Sequence, residues 1–417
     1  MKHDIEFIII PLNNNDNKVI EQVNLPQITA TTNIYCCPVN LICKLLQLES
    51  LPIKNKRIGV TNILDFLKWA DTKIDKQKQS NGKYKTSISI HWKEFETYFS
   101  RDRYLQYIEL LKELEVMALV PYRDNQYSKI GERSNLYRLY NNYIGDETCI
   151  VIAPNKCYGS MNIEGKHNSK LINTIKSIDI DYRSAITAEI ENHHSGKVDT
   201  NQLRMRLNKL FSLNGERFIK YGNKVNRVYH SLSNLSKISR EFLHINGVKF
   251  NNIDIRNCQP LLLCYYLIKN NLPIDADYIT DCEAGSLYER FYKKTGNKAK
   301  DDQAREAVKE GLYKSIYFDF KSDHALNLQF ANTYPQTYWS LSQIANNEET
   351  LASILQNSEA EIFNVLSPES SKYYFTLFDA IYFTSVLDIA PIANSIRTKF
   401  AEMKLTPRLK LNDLELI

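Results

Sequence analysis

The chain has 417 residues, of which 43% are hydrophobic and 24% are charged, the composition of a soluble globular protein with room for two or three domains. Its longest apolar run, PLLLCYYLI at 260–268, is about half as long as a membrane-spanning helix requires, and its first residues lack a signal-peptide core, so we expect a cytoplasmic protein with no membrane partner. The formal net charge of +5 permits a polyanionic partner without requiring one, and the eight cysteines show no Cys-x-x-Cys or zinc-finger spacing, so we expect them to be reduced.

The first elements that the pattern predicts are three helices followed by two short strands. Residues 61–71, TNILDFLKWAD, have the apolar spacing of an amphipathic helix, and a polar, lysine-rich loop follows them. Two more helical patterns cover 91–99 and 100–120, with Ser100 as the N-cap of the second. Within 119–140, two β-like runs flank a basic loop.

This order of elements resembles that of winged helix-turn-helix domains, and the resemblance covers residues 56–142. In such a motif the second helix lies in the major groove of DNA, and its first residues reach the bases. The resemblance implies base contacts from Arg101, Arg103 and Tyr104 and phosphate contacts from Lys129 and Arg133 in the wing. Two alternatives stay open: a helical domain with a solvated basic face, and a winged helix that binds protein.

The first candidate for catalysis is Asp254. The run VKFNNIDIRN at 248–257 is strand-like, and QPLLLCYYLIK at 259–269 predicts a helix with Pro260 in its first turn. Asp254 therefore lies at the carboxyl end of a strand, where an aspartate in an apolar setting needs a partner.

The second candidate is a helix predicted over 301–318, with Asp301 or Asp302 as its N-cap. Its side chains form a stripe at steps of four residues, in the order Arg305, Lys309, Tyr313 and Tyr317. Two cations followed by two aromatic rings suit a nucleoside triphosphate, with the phosphates at the cations and the base near the rings. The alternative is an ordinary amphipathic helix with solvated cations and half-buried tyrosines.

The third candidate is Asp379, in the run SKYYFTLFDAIYFTS at 371–385. Two β-rich segments flank it and predict a hairpin with Asp379 at or near the turn. If the strands are adjacent, Asp254 and Asp379 converge, and paired carboxylates make a hard oxygen site for magnesium. Two such ions can hold the attacking and leaving oxygens of a phosphoryl transfer. An exposed turn aspartate is the alternative for Asp379.

Taken together, these motifs resemble the palm and fingers of family-A DNA polymerases and their relatives, the single-subunit phage-type RNA polymerases. The resemblance covers 226–417 and includes NRVYHSLSNLSKISREFL at 226–243, LQFANTYPQTYWSL at 328–341 and the final helix and strand. It implies that Asp254, Asp379 and the Ile255 carbonyl bind two Mg²⁺ ions, with Mn²⁺ as the alternative metal.

The resemblance also assigns roles around the metal site. Arg305 and Lys309 would hold the triphosphate, and Lys309 would donate a proton to the pyrophosphate leaving group. The nucleotide pocket would be shaped by Tyr313, Tyr317 and the sugar-discriminating Gln259. Primer or template would contact Arg227, Asn234 and Arg240.

Several positions depart from the family pattern. Phe378 stands where the family usually has histidine, Ala380 where the DNA polymerases commonly have a carboxylate, and Asn226 where a glycine is usual. Gln259 replaces the usual glutamate of the DNA polymerases, and it keeps the bulk that excludes a 2′-hydroxyl while losing the charge. Its amide can still bond a tyrosine hydroxyl such as that of Tyr317. We therefore expect deoxynucleotides to be preferred.

The expected architecture is an α+β protein, a minimal right-hand polymerase with an antiparallel palm sheet and helical fingers, preceded by a winged-helix domain. The expected boundaries are 1–145 for the N-terminal region, 146–225 for a helical thumb-like connection and 226–417 for the palm, with the fingers over 285–345. The favoured function is a template-directed nucleotidyltransferase that acts on primer–template DNA, or RNA, in the replication of a phage, plasmid or mobile element. The alternatives are a primase or RNA polymerase of the same fold, a metal-dependent nuclease or transposase, and a DNA-binding initiator with an inactive palm.

Overall fold

The computed structural model shows a mixed α+β protein. It describes residues 6–10, 32–39, 41–42, 44–45, 60–75, 87–99, 104–114, 116–120, 135–139, 148–154, 161–214, 217–222, 225–318, 320, 325–345 and 350–416. The α-helices within these ranges are α1 Val60–Asp75, α2 Trp92–Phe99, α3 Tyr104–Glu113, α4 Ser169–Ser177, α5 Tyr182–His194, α6 Thr200–Phe211, α7 Lys237–Arg240, α8 Cys258–Lys269, α9 Ala276–Glu283, α10 Lys298–Leu312, α11 Ala325–Thr333, α12 Pro335–Ile344, α13 Leu351–Phe363 and α14 Ile389–Ala401.

The strands are short. They are β1 Glu6–Ile10, β2 Thr32–Pro38, β3 Ser87–Ile90, β4 Met117–Val120, β5 Asn135–Leu139, β6 Thr148–Pro154, β7 Met161–Ile163, β8 Asp179–Ile180, β9 Arg217–Tyr221, β10 Val228–His230, β11 Leu243–Ile245, β12 Val248–Lys249, β13 Asn251–Ile255, β14 Tyr374–Leu377, β15 Ala380–Phe383, β16 Leu409–Leu411 and β17 Leu414–Leu416. Within the described ranges, no helix is long and apolar enough to cross a membrane.

The chain divides into two compact units, each built from several segments. The first comprises Met1–Ser160, Ile180–Arg217 and Asn234–Leu243, and the second comprises Met161–Asp179, Phe218–Ser233 and His244–Ile417. The stretch 146–225, expected to form one helical connection, is therefore shared between them. The reason is strand pairing over long sequence distances: β6 pairs with β1 and β2 in the first unit, whereas β7 and β10 pair with β9 in the second.

The first unit contains the elements of the predicted winged helix in the order α1, β3, α2, α3, β4, β5. The three strands form an antiparallel sheet in the order β3-β5-β4. The strand β3, which directly follows the lysine-rich loop, was not predicted, because four residues are too few to show a clear alternation. Stacked rings fill the core between the helices, with Phe66 and Phe95 at 5.2 Å and Phe99 and Tyr107 at 4.3 Å between centroids.

Most of the predicted DNA-contacting residues of this unit, namely Arg101, Arg103, Lys129 and Arg133, lie outside the described residues, as does the predicted N-cap Ser100. Tyr104 is the first residue of α3 and packs, partly buried, against the hydrophobic core. Because at least part of the Tyr104 ring packs against the core, an aromatic residue at this position has a structural explanation.

A side chain completes the edge of the other sheet in the first unit. In the order β1-β6-β2, the strand β2 lies at one edge. The buried amide of Asn208 on α6 pairs with the backbone of Cys36 on β2: Asn208 Oδ1 accepts from the Cys36 N–H at 2.7 Å, and Asn208 Nδ2 donates to the Cys36 carbonyl at 2.9 Å. The amide satisfies two buried backbone groups of the strand at once.

The second unit is built on a five-stranded antiparallel sheet in the order β14-β15-β13-β16-β17. Ile253, Ile255, Ile381 and Leu409 are buried, and by the strand register they share one face of the sheet. Side chains alternate between the two faces of a strand, so Asp254 projects from the opposite face. The predicted strand, the helix after it and the predicted hairpin are all confirmed, as are the C-terminal helix and strand.

The helix that carries the predicted stripe differs from expectation at its start. Its N-cap is Asn297, whose side chain accepts from the backbone of Lys300, rather than Asp301 or Asp302. Asp301 instead accepts from the backbone N–H of Thr295 at 2.7 Å and so stabilises the turn before the helix. Later in α10, a Cβ on Gly311 would lie 2.4 Å from Leu326 Cδ1, so the leucine side chain would have to shift for a larger residue to fit at this position.

We expect Asn208→Ala to destabilise the first unit by about 2 kcal/mol, because it leaves two buried backbone groups of Cys36 without this partner. The measurement is the urea dependence of unfolding followed by circular dichroism. Asn162→Ala, at an exposed asparagine, is the matched control and should leave the urea midpoint unchanged. Equal midpoints for both variants would contradict the role given to the Asn208 amide.

Candidate active site

The pairing of β13 with β15 places the two predicted catalytic aspartates side by side. Asp254 pairs with Ala380, the residue directly after Asp379, and the Ile255 N–H donates to the Asp379 carbonyl at 3.4 Å. Paired residues of antiparallel strands have Cα atoms about 4.5 to 5.5 Å apart. Asp254 and Asp379, which are 125 positions apart in the sequence, are thus neighbours at one end of these two strands, as the sequence predicts.

The turn that carries Asp379 consists of two residues, because Leu377 pairs with Ala380 across the hairpin. Phe378 adopts a left-handed backbone conformation with φ of 55°, which disfavours a non-glycine residue by about 1–2 kcal/mol. The guanidinium carbon of Arg227 lies 5.1 Å from the centroid of the Phe378 ring. This cation–π contact favours the strained turn and gives a local reason for phenylalanine before the aspartate.

Three acidic side chains raise the pKa of a thiol in the first turn of α8. Burial raises the pKa of the Cys258 thiol, and Asp379, Glu359 and Asp254 raise it further, whereas Arg227 lowers it. Both aspartates therefore lie within electrostatic reach of one thiol at the end of the strand. Such a concentration of negative charge favours a bound cation.

Arg305 is held close to this end of the sheet. Its Nη2 donates to Asn257 Oδ1 at 3.1 Å, its Nε donates to Glu289 Oε1 at 3.2 Å, and its guanidinium carbon lies 4.9 Å from the centroid of the Tyr288 ring. Asn257 follows β13 by two residues and begins α8 with a left-handed φ of 55°. These contacts, with only 22% of the side chain exposed, fix Arg305 beside the strand that carries Asp254.

The predicted stripe is interrupted at its aromatic end. The α-helix ends at Leu312, and Tyr313–Phe318 forms a π-helical turn. A π-helical turn contains more residues than an α-helical one, so it rotates Tyr317 away from the line of the cations. Tyr317 is 1% exposed, and its hydroxyl lies 2.9 Å from that of Tyr278. Tyr317 is therefore part of the core, and its hydroxyl contacts Tyr278 rather than Gln259.

The other two members of the stripe differ in exposure. Burial raises the pKa of Tyr313, and Tyr288 and Asp379 raise it further, so its hydroxyl lies close to the aspartate turn. Lys309 is 40% exposed and its Nζ lies 3.7 Å from Glu306 Oε2. Tyr313 is thus within electrostatic reach of Asp379, Arg305 contacts Asn257 after β13, and Lys309 lies on the accessible side of α10.

A buried carboxylate that sequence analysis missed joins two of the predicted site residues. Glu359 on α13 is 1% exposed, and its Oε2 accepts from Arg227 Nη2 and, at 3.0 Å, from Gln259 Nε2. We call these three side chains the Glu359 clamp. They come from three distant segments of the second unit, and through the Arg227 contact the clamp is continuous with Phe378 at the aspartate turn.

The signal for Glu359 is present in the sequence. The buried face of α13 includes Leu351, Ile354, Leu355, Ile362 and Phe363, at helical spacing. Glu359 falls on the same face, four residues after Leu355, and a carboxylate on an apolar face requires a partner. The same reasoning that singled out Asp254 in its strand would have found it.

Two residues assigned to primer or template binding belong to the first unit. Asn234 is exposed after β10, and Arg240 at the end of α7 donates from its Nε to the Ser236 carbonyl at 3.3 Å. Arg227 belongs to the second unit and contacts the aspartate turn through the Phe378 ring.

The donor set fits magnesium. Two carboxylates at adjoining strand ends, with the peptide carbonyl of Ile255 between them in sequence, are the hard oxygen ligands that this ion prefers. No group of three or more histidine, cysteine, aspartate or glutamate side chains is arranged for a metal ion in the part of the chain that the structure describes. An ion bound here would complete its shell with water and substrate phosphate, as Mg²⁺ commonly does.

Burial raises the pKa of Glu359 from its ordinary 4.5 to about 8, with a further contribution from Asp379, while Arg227 opposes the shift. Between these values the folded protein keeps a proton that the unfolded chain has released, so the free energy of unfolding falls as pH rises. We expect Glu359→Gln to lose this dependence, which contributes up to about 1.4 kcal/mol per pH unit.

The measurement is urea unfolding of the wild type and of Glu359→Gln at intervals from pH 5 to pH 8. Glu361→Gln, at an exposed position of the same helix, should follow the wild type. Parallel stability curves for the wild type and Glu359→Gln would show that Glu359 is ionised throughout this range in the folded protein.

Comparison with known proteins gives no family for the chain: no protein-family model, no curated protein and no solved structure matches it.

Proposed function

We propose that the protein is a template-directed nucleotidyltransferase that joins nucleotides through a two-magnesium site at Asp254 and Asp379. The observation that carries the proposal is the β13–β15 register, which sets Asp254 beside the Asp379 turn. The contact of Arg305 with Asn257 adds a cation at the same end of the sheet. Paired carboxylates next to an anchored arginine suit a substrate that carries both a metal ion and a polyphosphate.

In this proposal each group has one task. The metal ions supply charge stabilisation for the attacking and leaving oxygens. Arg305 binds the triphosphate, and its contacts with Glu289 and Tyr288 keep its guanidinium in place before the substrate arrives. Lys309, on the accessible side of α10, is available to donate a proton to the departing pyrophosphate.

The contacts of Glu359 favour this function over a metal-dependent nuclease. A nuclease of the paired-aspartate kind would use a third acidic ligand, and Glu359 is a carboxylate that acts on the Cys258 thiol together with the two aspartates. Its Oε2 is occupied by Arg227 and Gln259, so it serves as an anchor for these side chains. The anchored arginine on α10 also suits a triphosphate, which carries more negative charge than the phosphodiester that a nuclease cleaves.

We also propose that the first unit binds DNA and that the second unit has the right-hand polymerase fold. The order α1, β3, α2, α3, β4, β5 is that of a winged helix, and a DNA-binding unit of this kind would bring the enzyme to an origin or a primer. The five-stranded antiparallel sheet would be the palm, and α10 to α12 would form the fingers. We propose deoxynucleotides as the preferred substrate, and a role in replicating a phage, plasmid or mobile element.

The test is primer extension with dNTPs or NTPs on DNA and RNA templates in the presence of Mg²⁺. We expect Asp254→Asn and Asp379→Asn each to lower incorporation roughly a thousandfold, since the ions they hold contribute several kcal/mol to the transition state. Asp413→Asn, in the exposed turn between β16 and β17, is the control on the same sheet. A folded wild-type protein that incorporates no nucleotide on any template would reject the proposal.

For the nucleotide itself, we expect Arg305→Ala to raise the KM about tenfold or more, because hydrogen bonds to charged groups contribute about 1.5–3 kcal/mol each. The control is Lys314→Ala, which removes an exposed cation that pairs with Glu310 shortly after α10. Steady-state kinetics of single-nucleotide incorporation measures both. An unchanged KM in Arg305→Ala would place the triphosphate elsewhere.

A further inference from the structure

We propose that Glu359 is a positioning residue that sets the choice between deoxyribonucleotides and ribonucleotides by holding Gln259 in place. This inference rests on the proposed function, in which Gln259 lies beside the sugar of the incoming nucleotide. Nothing in the sequence patterns assigns a role to Glu359, and the contacts of the clamp supply it.

The geometry explains why Gln259 needs an anchor. Gln259 is the second residue of α8 and lies four positions after Ile255 at the end of β13, so its side chain starts next to the aspartates. A glutamine side chain that is fixed in one rotamer loses conformational entropy. Its hydrogen bond to Glu359 offsets this loss. With Glu359 present the amide has one position; without it, the amide moves between several.

The second donor to Glu359 makes the anchor rigid. Arg227 is 11% exposed, and it contacts Glu359 with Nη2 and the Phe378 ring with its guanidinium. Because Phe378 precedes Asp379, these contacts fix the position of the Gln259 amide relative to the turn that carries a catalytic aspartate. A bulky side chain excludes a 2′-hydroxyl only if its distance from the reacting centre is fixed, and the clamp fixes it.

Arg227 and Gln259 donate to the same oxygen of Glu359, so replacing Glu359 by glutamine and replacing it by alanine have different expected effects. An amide also offers one oxygen, so Glu359→Gln can accept from both Arg227 and Gln259. Glu359→Ala offers none, and Gln259 is released. The two variants therefore separate the presence of an acceptor from the presence of a charge.

The experiment measures kcat/KM for a dNTP and for the matching NTP on one primer–template. We expect the dNTP preference to fall about tenfold in Glu359→Ala, the effect of losing a single anchoring bond of about 1.4 kcal/mol, and to remain near the wild-type value in Glu359→Gln. Glu361→Ala, on the same helix but exposed, should keep the wild-type preference. A purely structural effect would lower both kcat/KM values equally and leave their ratio unchanged, and that outcome would overturn the inference.

Glu359→Ala leaves a buried arginine unpaired and can fail to fold for that reason. In that case the double variant Arg227→Met/Glu359→Leu is used. It removes both partners of the ion pair and also releases Gln259. A wild-type dNTP preference in this folded variant would likewise overturn the inference. A further Gln259→Ala substitution should then change the ratio little, since the two residues act as one unit. If instead the wild type incorporates neither class of nucleotide, the proposed function itself fails.

Discussion

The second unit depends on one antiparallel pairing, that of β13 with β15. It joins a strand near the middle of the chain to a hairpin more than a hundred residues later, and it fixes the register at which Asp254 meets Ala380. The register is strongly specified, because a shift by one residue would turn the buried Ile253 and Ile255 to the opposite face of the sheet and put Asp254 on the face that they now occupy. The hydrophobic requirement of the core thus determines where the two acidic side chains meet.

Around this pairing, the site is organised by compensating charges. Asp254, Asp379 and Glu359 all raise the pKa of the Cys258 thiol, so three acidic groups are concentrated at the start of α8. Arg227 adds a cation among them by contacting Glu359 and the Phe378 ring. A protein can retain such a concentration of acidic groups where hydrogen bonds or cations satisfy them.

The contacts of Arg305 show how the helical region joins the sheet. The helix α10 contributes the guanidinium, the turn before α8 contributes Asn257, and the short 3₁₀ segment Leu287–Phe291 contributes Tyr288 and Glu289. None of these elements adjoins α10 in sequence closely enough for local patterns to reveal the contact. The arginine is therefore already oriented by the protein, and its side chain would lose little entropy on contacting an anion.

The sequence by itself determined the elements whose signal is local. Strand alternation and helical spacing identified the strand of Asp254, the hairpin of Asp379 and the helix of Arg305, because one apolar face must repeat every two or every 3.6 residues. Only the tertiary structure decided the π-helical turn that buries Tyr317, the division of 146–225 between two units and the partners of Glu359. These features depend on contacts between segments far apart in the chain, and no local periodicity encodes which distant donor a buried carboxylate will meet.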